Sequence, residues 1–186
     1  MADSANTPGG GSPGPAPAPA GTQAAAAPRL AVVTQYVKDL SFENPMAPQA
    51  LLPGGPRPEI GVRVNVGVHG LDAERHEVVL TINVEAKAGE QVVFMLELAY
   101  AGVFGLSNIP AETAQPLLLI ECPRLLFPFA RRVVADVTRD GGFPPLMVEP
   151  IDFASLFRRR LQQQQQQQQQ QAQAAAAAGN RGETTV

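Results

Sequence analysis

Strict alternation of apolar and polar residues in two consecutive segments most constrains the fold of this chain. In residues 60–68, and again in residues 78–86, every second residue is aliphatic, and most residues between them are polar or glycine. Successive side chains of a strand point to opposite faces, so each segment predicts a strand with one dry and one wet face. The loops that follow the two segments are short, which predicts antiparallel hairpins.

Two further strands complete the predicted sheet. Residues 91–100 form the fourth strand, with Glu97 on the face opposite Leu96 and Leu98. Residues 30–42 form the first, with Leu30, Val32, Tyr36, Leu40 and Phe42 expected on one face and Val33, Val37, Asp39 and Ser41 on the other. Between the first and second strands, residues 44–59 contain five prolines, which rule out a helix or a central strand. Such a long extended connection is often functional.

The second half of the chain predicts helices. Apolar residues at three-and-four spacing begin after Glu112 and mark one helix face: Leu118, Cys122, Leu125, Phe129, Val133 and Val137. Pro123 and Pro128 lie inside this pattern and either bend the helix or set its beginning. Gly141 and Gly142 should end it, residues 143–150 should run extended, and Asp152 should cap a short helix to Leu161. The apolar stripe is broader than one side of a small sheet needs, so part of it is expected to meet another subunit; complete burial on its own sheet is the alternative.

These elements predict one α+β domain, a four-stranded antiparallel sheet packed with a long helix and a short C-terminal helix. Residues 29–161 carry every apolar pattern. Residues 1–28 are rich in proline, alanine and glycine, and residues 162–186 contain a glutamine run and an alanine run. Neither end carries enough apolar surface to offset the entropy of ordering the chain, so both are predicted to be disordered.

Charge and composition narrow the class of function. Residues 30–121 carry five bases and eleven acids, a net charge of −6, whereas residues 122–161 carry seven arginines and four acids, a net charge of +3. An acidic sheet attracts basic partners and disfavours nucleic acid. The single cysteine fits a reducing compartment, and the sequence has no apolar run long enough for a membrane span. We therefore expect a cytoplasmic protein without direct membrane insertion.

No constellation of residues predicts an enzyme or a cofactor site. His69 and His76 flank a hairpin loop without the carboxylates that a metal site would need. Residues 102–105 lack the glycine spacing and the lysine of a phosphate loop. Three consecutive arginines, residues 158–160, lie beside the glutamine run and leave open a nucleic-acid or regulatory binding protein with a Gln-rich tail. No metal ligand and no catalytic residue are expected.

Three co-linear motifs resemble the SecB protein-export chaperones. They are Lys38-Asp-Leu-Ser-Phe-Glu-Asn-Pro45, Cys122-Pro-Arg-Leu-Leu-Phe-Pro-Phe-Ala-Arg131, and Gly142-Phe-Pro-Pro-Leu146 followed by Asp152-Phe153. The resemblance implies a homotetramer, built as a dimer of dimers whose long helices meet between the sheets. It also implies an ATP-independent holdase that keeps precursor proteins unfolded in the cytoplasm and delivers them to the motor SecA.

The resemblance also suggests two sets of site residues. Asp39, Glu43 and Glu97 match the acidic positions at which the family contacts SecA. The two extended segments can wall a groove for unfolded substrate, with candidate lining residues Leu51, Leu52, Phe143, Leu146, Met147 and Phe153. The chain has no tryptophan, and its two tails lie outside the resemblance.

Overall fold

The computed structural model describes residues 27–179. Four strands come first: β1 (Arg29–Glu43), β2 (Glu59–Gly70), β3 (Arg75–Ala88) and β4 (Gln91–Ser107). A helical run follows, made of α1 (Ala111–Pro116), a π-helical turn (Leu117–Glu121) and α2 (Cys122–Asp140). The last helix, α3, spans Phe153–Gly179, and a single 3-10 turn (Gln49–Leu51) lies in the connection between β1 and β2.

The strands form one antiparallel sheet in the order β1-β4-β3-β2. The predicted four-stranded α+β fold is therefore confirmed. Strand β4 continues seven residues beyond the predicted end at Tyr100, through a stretch rich in small residues that gave no apolar alternation. One of these, Gly102, lies under α2, where an added Cβ would come 2.8 Å from Leu126 Cδ2. The absence of a side chain at Gly102 lets the helix approach the sheet closely.

Helix α2 covers one face of the sheet, here called the inner face. The inner side chains of β3 are buried together with those of β4 and of the helix, and the core comprises Val78, Leu80, Ile82, Val84, Phe94, Leu96, Leu98, Phe104, Leu126, Ala130 and Val134. The opposite, outer face carries Thr81, Asn83 and Glu85 of β3 between these core positions. The alternation predicted for β3 is thus correct. In β2, Val62, Val64 and Val66 lie opposite inner-face residues of β3, as predicted, but Ile60 and Val62 are half-exposed instead of dry.

Strand β1 departs from the predicted alternation. Its pairing with β4 contains two register shifts, between Val32 and Thr34 and between Val37 and Asp39. At each shift β1 carries one residue more than β4, which is the pattern of a β-bulge. Consequently Tyr36 lies on the outer face and Val37 on the inner face, the reverse of the prediction. After the second bulge, Asp39 and Glu43 are on the outer face, as predicted.

The prolines neither start nor break the helical run, which is continuous over residues 111–140. Pro123 lies in the first turn of α2, two residues after the π-helical turn ends at Glu121. Just before it, the Cys122 amide donates a hydrogen bond to the carbonyl of Leu117. A π-helical turn widens the helix just before Pro123, which has no backbone N–H to donate. Pro128 lies inside α2 and is exposed. The run ends at Asp140, and Gly142 follows with φ of 88°, as the glycine pair predicted.

Helix α3 is longer than the predicted short helix. Asp152 caps its first turn, accepting a hydrogen bond from the amide of Ser155 at 3.0 Å, as expected. The helix then passes through the glutamine run as far as Gly179 instead of ending at Leu161. From Arg158 to Gln171, however, every residue is exposed, so packing against the domain ends close to the predicted boundary. Residues 1–26 and 180–186, parts of the two tails predicted to be disordered, lie outside the described residues.

Candidate protein-binding surfaces

An aromatic cluster joins the end of β1 and the start of β4 to the segment after α2. The ring of Phe94 lies 4.7 Å from that of Phe143 and 5.7 Å from that of Phe42, measured between centroids. Leu51 packs over Gly142, where an added Cβ would lie 3.0 Å from its Cδ1 atom. The structure therefore brings together two of the predicted groove residues, Leu51 and Phe143, at one end of the sheet.

The extended segment after α2 is anchored by a buried hydroxyl. Thr138 of α2 donates from Oγ1 to the carbonyl of Val134 at 2.9 Å and accepts a hydrogen bond from the Leu146 amide at 2.9 Å. Residues 144–150 make no strand or helix hydrogen bonds of their own. Sequence reasoning missed Thr138, although a hydroxyl four residues after Val134, where the helix face calls for an apolar side chain, was the available signal.

Three predicted groove residues on these segments remain in contact with solvent. Leu52 is 59% exposed and Met147 is 57% exposed, while Leu146 packs partly against the core. Phe153 is different, because it is only 1% exposed and its ring lies 6.1 Å from that of Phe127 inside the core. The prediction of Phe153 as a groove residue is therefore wrong for this fold: the residue begins α3 and anchors that helix.

The predicted acidic residues share the outer face. Ser41 lies opposite Glu97, and Asp39 and Glu43 lie two residues to either side of Ser41 on the same strand. All three acids are exposed. Because opposite residues of an antiparallel pair point the same way, the three carboxylates project from one surface, here called the acidic face. Glu85 of β3 lies in the same row, since both it and Glu43 are opposite Met95.

A further acid on the outer face, Glu77, is covered. Glu77 of β3 is only 8% exposed, because Lys38 and Tyr36 lie over it. Lys38 Nζ donates to its Oε2 and Oε1 at 2.7 Å and 2.9 Å, and the Tyr36 hydroxyl donates to Oε1 as well. The hydrogen bonds from Lys38 and then Tyr36 lower the pKa of Glu77, and the same carboxylate raises the pKa of Tyr36. No pattern in the sequence indicates this contact, in which Lys38 and Glu77 are 39 positions apart.

Part of the α2 stripe faces solvent. Leu125 is 44% exposed and Phe129 is 45% exposed, although both were predicted on the main apolar face. The Phe129 ring stacks at 6.4 Å on Tyr100 of β4, next to the half-exposed inner residues Val37 and Leu40 of the edge strand β1. These side chains make one exposed apolar surface beside the β1 edge, here called the helix-edge surface.

The opposite edge of the sheet carries the arginines. Two clefts of about 450 and 400 Å³ lie between β2, the π-helical turn and α3, and both are lined by Leu119, Phe157 and Arg160. Arg160 Nη1 donates to the backbone carbonyl of Val66 at 2.9 Å. The arginines lie in the early part of the long helix α3, so an interaction with a helix end is not their role. Arg160 instead satisfies a carbonyl on the edge strand β2.

The described residues contain no cluster of three or more histidine, cysteine, aspartate or glutamate side chains that could hold a metal ion. His69 is exposed at the end of β2, and residues 102–105 belong to strand β4. Burial raises the pKa of Cys122 to about 12, so its thiol stays protonated and packs as a small apolar group. None of the helices within residues 27–179 is long and apolar enough to cross a membrane.

Comparison with known proteins decides the family. The family model described as preprotein translocase subunit SecB matches residues 23–166. The chain belongs to the SecB family. It is 56% identical over 140 residues to the protein-export protein SecB of Bradyrhizobium sp. (strain BTAi1 / ATCC BAA-1182), covering 75% of this chain and 86% of that protein. It is 52% identical over 161 residues to the SecB of Maricaulis maris (strain MCS10), covering 87% of each.

The fold of this SecB-family chain is also similar to that of a solved chaperone. The SecB-like chaperone Rv1957 of Mycobacterium tuberculosis, in complex with a ChAD peptide from the Rv1956 HigA1 antitoxin, superimposes with a TM-score of 0.56. The sequences are 16% identical, and the match covers 66% of this chain and 91% of the other. SecB proteins are export chaperones and not an enzyme family.

Proposed function

We propose that this protein is an ATP-independent holdase of the cytoplasm, which keeps precursor proteins unfolded and delivers them to SecA. The observation that carries the proposal is the exposure of apolar side chains on two extended segments beside the aromatic cluster, above all Leu52 and Met147. Exposed apolar groups of this size contribute roughly 25 cal/mol per Å² when a bound chain covers them. Unfolded chains offer such groups, whereas folded proteins bury most of theirs.

Binding of this kind needs no nucleotide. The groove would be walled by the connection at Leu51 and Leu52 and by the extended segment at Phe143, Leu146 and Met147. Burial of apolar surface is largely blind to sequence, which suits a chaperone with many clients. Neither wall belongs to a helix or a strand apart from the single turn at residues 49–51, so side chains along both can adjust to different segments. The peptide held by the structural neighbour is consistent with this use of the fold.

The holdase activity can be tested with a matched control. We expect the wild-type protein to suppress aggregation of a chemically denatured precursor after dilution, without ATP, as followed by light scattering. Leu52→Asp combined with Met147→Asp should reduce suppression at least several-fold, because two charges would face the bound chain. Leu71→Asp is the control, since Leu71 is equally exposed but lies in the β2–β3 hairpin loop.

Suppression that is absent in the wild type, or equally reduced by Leu71→Asp, would overturn the proposed groove. A nucleic-acid binding protein would instead show an affinity for DNA or RNA that falls steeply with salt. The arginines do not favour that alternative, because Arg160 bonds to the backbone of β2.

We assign the acidic face to SecA. Asp39, Glu43 and Glu97 present three carboxylates on a flat strand surface, which attracts a basic partner. Glu43→Lys and Glu97→Lys should each weaken SecA binding about tenfold in titration calorimetry, since each replaces attraction by repulsion. Glu112→Lys, an equal change of charge on the exposed start of α1, should have little effect. SecA affinity that is unchanged in both acidic-face variants would rule the surface out.

The helix-edge surface is our candidate for assembly into a homotetramer, a dimer of dimers. Leu125 and Phe129 lie half-exposed on α2, and an apolar surface of this kind is costly to leave in water. Native mass spectrometry of the wild type should give a mass near four protomers. Phe129→Asp should shift that mass to smaller species while leaving the far-UV circular dichroism spectrum of the sheet unchanged. A wild-type monomer would refute the assembly.

A further inference from the structure

Asp39 reaches the outer face only because β1 contains an extra residue just before it. Tyr36 lies opposite Ala101 of β4, and Asp39 lies opposite Ala99. Three steps along β1 therefore match two steps along β4, and the additional residue is Lys38. In a regular strand, residues three apart point to opposite faces, so Tyr36 and Asp39 share a face only with the bulge in place.

Loss of the bulge with Lys38 still in the chain would turn Asp39 and Glu43 away from the acidic face. If Lys38 took the position opposite Ala99, residues 39–43 would slip by one, and Asp39 and Glu43 would turn toward the inner face. A one-residue slip moves every side chain of a strand segment to the other face. Within residues 27–179, strand β1 is at the edge of the sheet and its backbone pairs with β4 alone, so pairing resists such a slip less than in a central strand.

The contact that distinguishes the bulged register is the one to Glu77. Lys38 Nζ lies 2.7 and 2.9 Å from the two carboxylate oxygens, and the Tyr36 hydroxyl donates to the same group. Glu77 belongs to β3, so both bonds pass over β4 and connect the edge strand to the sheet interior. The residues on either side of the bulge thus converge on one covered carboxylate. Its charge is compensated by Lys38.

We propose that Lys38, Tyr36 and Glu77 are positioning residues that hold the bulge and keep Asp39 and Glu43 on the face that docks SecA. The group does not touch the partner. Lys38 acts through the register of β1, while Glu77 is covered and offers no surface of its own. The inference rests on the proposed role of the acidic face, and its test is chosen so that the two can fail separately.

Lys38→Met tests the proposal by the sign of its effect. Removing a positive charge beside an acidic surface should strengthen binding of a basic partner if charge alone matters. If Lys38 holds the bulge, the variant should instead bind SecA about fivefold more weakly, the size expected from losing a partly exposed ion pair. Lys87→Met is the matched control: Lys87 pairs with Glu85 at 2.9 Å on β3, away from β1, with a similar exposure. It should bind SecA no more weakly than the wild type.

Hydrogen exchange supplies a readout that does not depend on SecA. In Lys38→Met, amides of residues 37–43 should exchange about fivefold faster than in the wild type, while amides of β3 keep their rates. Lys38→Arg, which can still reach the carboxylate, should restore both exchange and SecA affinity. Unchanged exchange in Lys38→Met, or SecA binding that strengthens as in Lys87→Met, would overturn the positioning role.

The Glu43→Lys variant separates failure of the positioning role from failure of the acidic face. If Glu43→Lys leaves SecA binding unchanged, the assignment of the acidic face to SecA is wrong. If Glu43→Lys weakens SecA binding while Lys38→Met does not, only the positioning role is wrong.

Discussion

Strands β3 and β1 lie in the same sheet but obey their sequence patterns to different degrees. Strand β3 is paired on both sides, and its register with β2 is uninterrupted over twelve residue pairs. Strand β1 is paired on one side and contains two bulges within fifteen residues. Alternation of side chains between the two faces is therefore reliable where paired neighbours and a buried face both enforce it, whereas an edge strand can absorb extra residues.

Deleting one residue from β1 or from β3 should give the largest difference between the two strands, measured as whether the protein still folds. Removal of Lys38 leaves Val37 opposite Tyr100 and Asp39 opposite Ala99, as in the wild type, so the strand loses a bulge and keeps its register. Removal of Thr81 forces half of β3 to turn its core side chains outward, which no neighbouring strand can accommodate. We expect a folded protein in the first case and an unfolded or insoluble one in the second.

Soluble yield and far-UV circular dichroism of the two deletion variants measure this contrast. Deletion of Gly89, in the tight β3–β4 turn, would show the cost of shortening a loop and serves as the comparison. If removal of Lys38 and removal of Thr81 lower the soluble yield and the circular dichroism signal equally, the edge strand does not tolerate a change of length.

Truncating inner-face side chains of β3 and β1 should give the next largest difference, in the free energy of unfolding. Ile82→Ala on β3 removes a fully buried side chain and should lower the free energy of unfolding by about 2–5 kcal/mol. Val37→Ala on β1 should cost less than about 1 kcal/mol in the protomer, because Val37 is already half-exposed. Urea denaturation measures both, and similar costs would mean that the β1 edge is covered in solution, as assembly through the helix-edge surface would require.

The pH dependence of stability should give the smallest contrast. Hydrogen bonds from Lys38 and Tyr36 hold the pKa of Glu77 below its ordinary value, so the contact stabilises the fold above that ordinary pKa and is lost as the pH falls through the folded one. Between about pH 5 and pH 3, the free energy of unfolding of the wild type should fall by roughly 1 kcal/mol more than that of Glu77→Gln. Glu85→Gln, whose carboxylate pairs with Lys87 nearer to solvent, is the control. If the difference in unfolding free energy between the wild type and Glu77→Gln stays the same across this range, ionisation of Glu77 adds nothing to stability.

The elements that the sequence predicted correctly are those whose side chains follow one rule throughout. Strands β2 and β3, the end of α2 at the glycine pair and the cap at Asp152 all lie where the patterns put them. The faces of β1 could not be predicted, because a bulge depends on which long-range partner the extra residue finds, here Glu77. The length of α3 was underestimated because an exposed run of glutamine and alanine has helix propensity without any periodic pattern.

The candidate sites likewise contain residues that the sequence could predict and residues that it could not. The acidic residues share one face because simple alternation operates after the second bulge. The groove residues were inferred from two extended segments, and the structure brings Leu51 to the glycine before Phe143. Phe153 could not be distinguished from them by sequence, since an apolar residue next to a helix cap serves equally well as an anchor in the core or on a surface.

The prolines of the helical run bear on the order in which the molecule forms. Pro116, Pro123 and Pro128 each lack an amide donor, and an interior proline costs a free helix about 3 kcal/mol. An isolated peptide of residues 111–140 should therefore be largely non-helical by circular dichroism, so α2 gains its shape chiefly by condensing on a sheet whose hairpins close through short turns. Its apolar surface is then displayed only by chains that have already folded, and joining of protomers through α2 must come after the folding of each one.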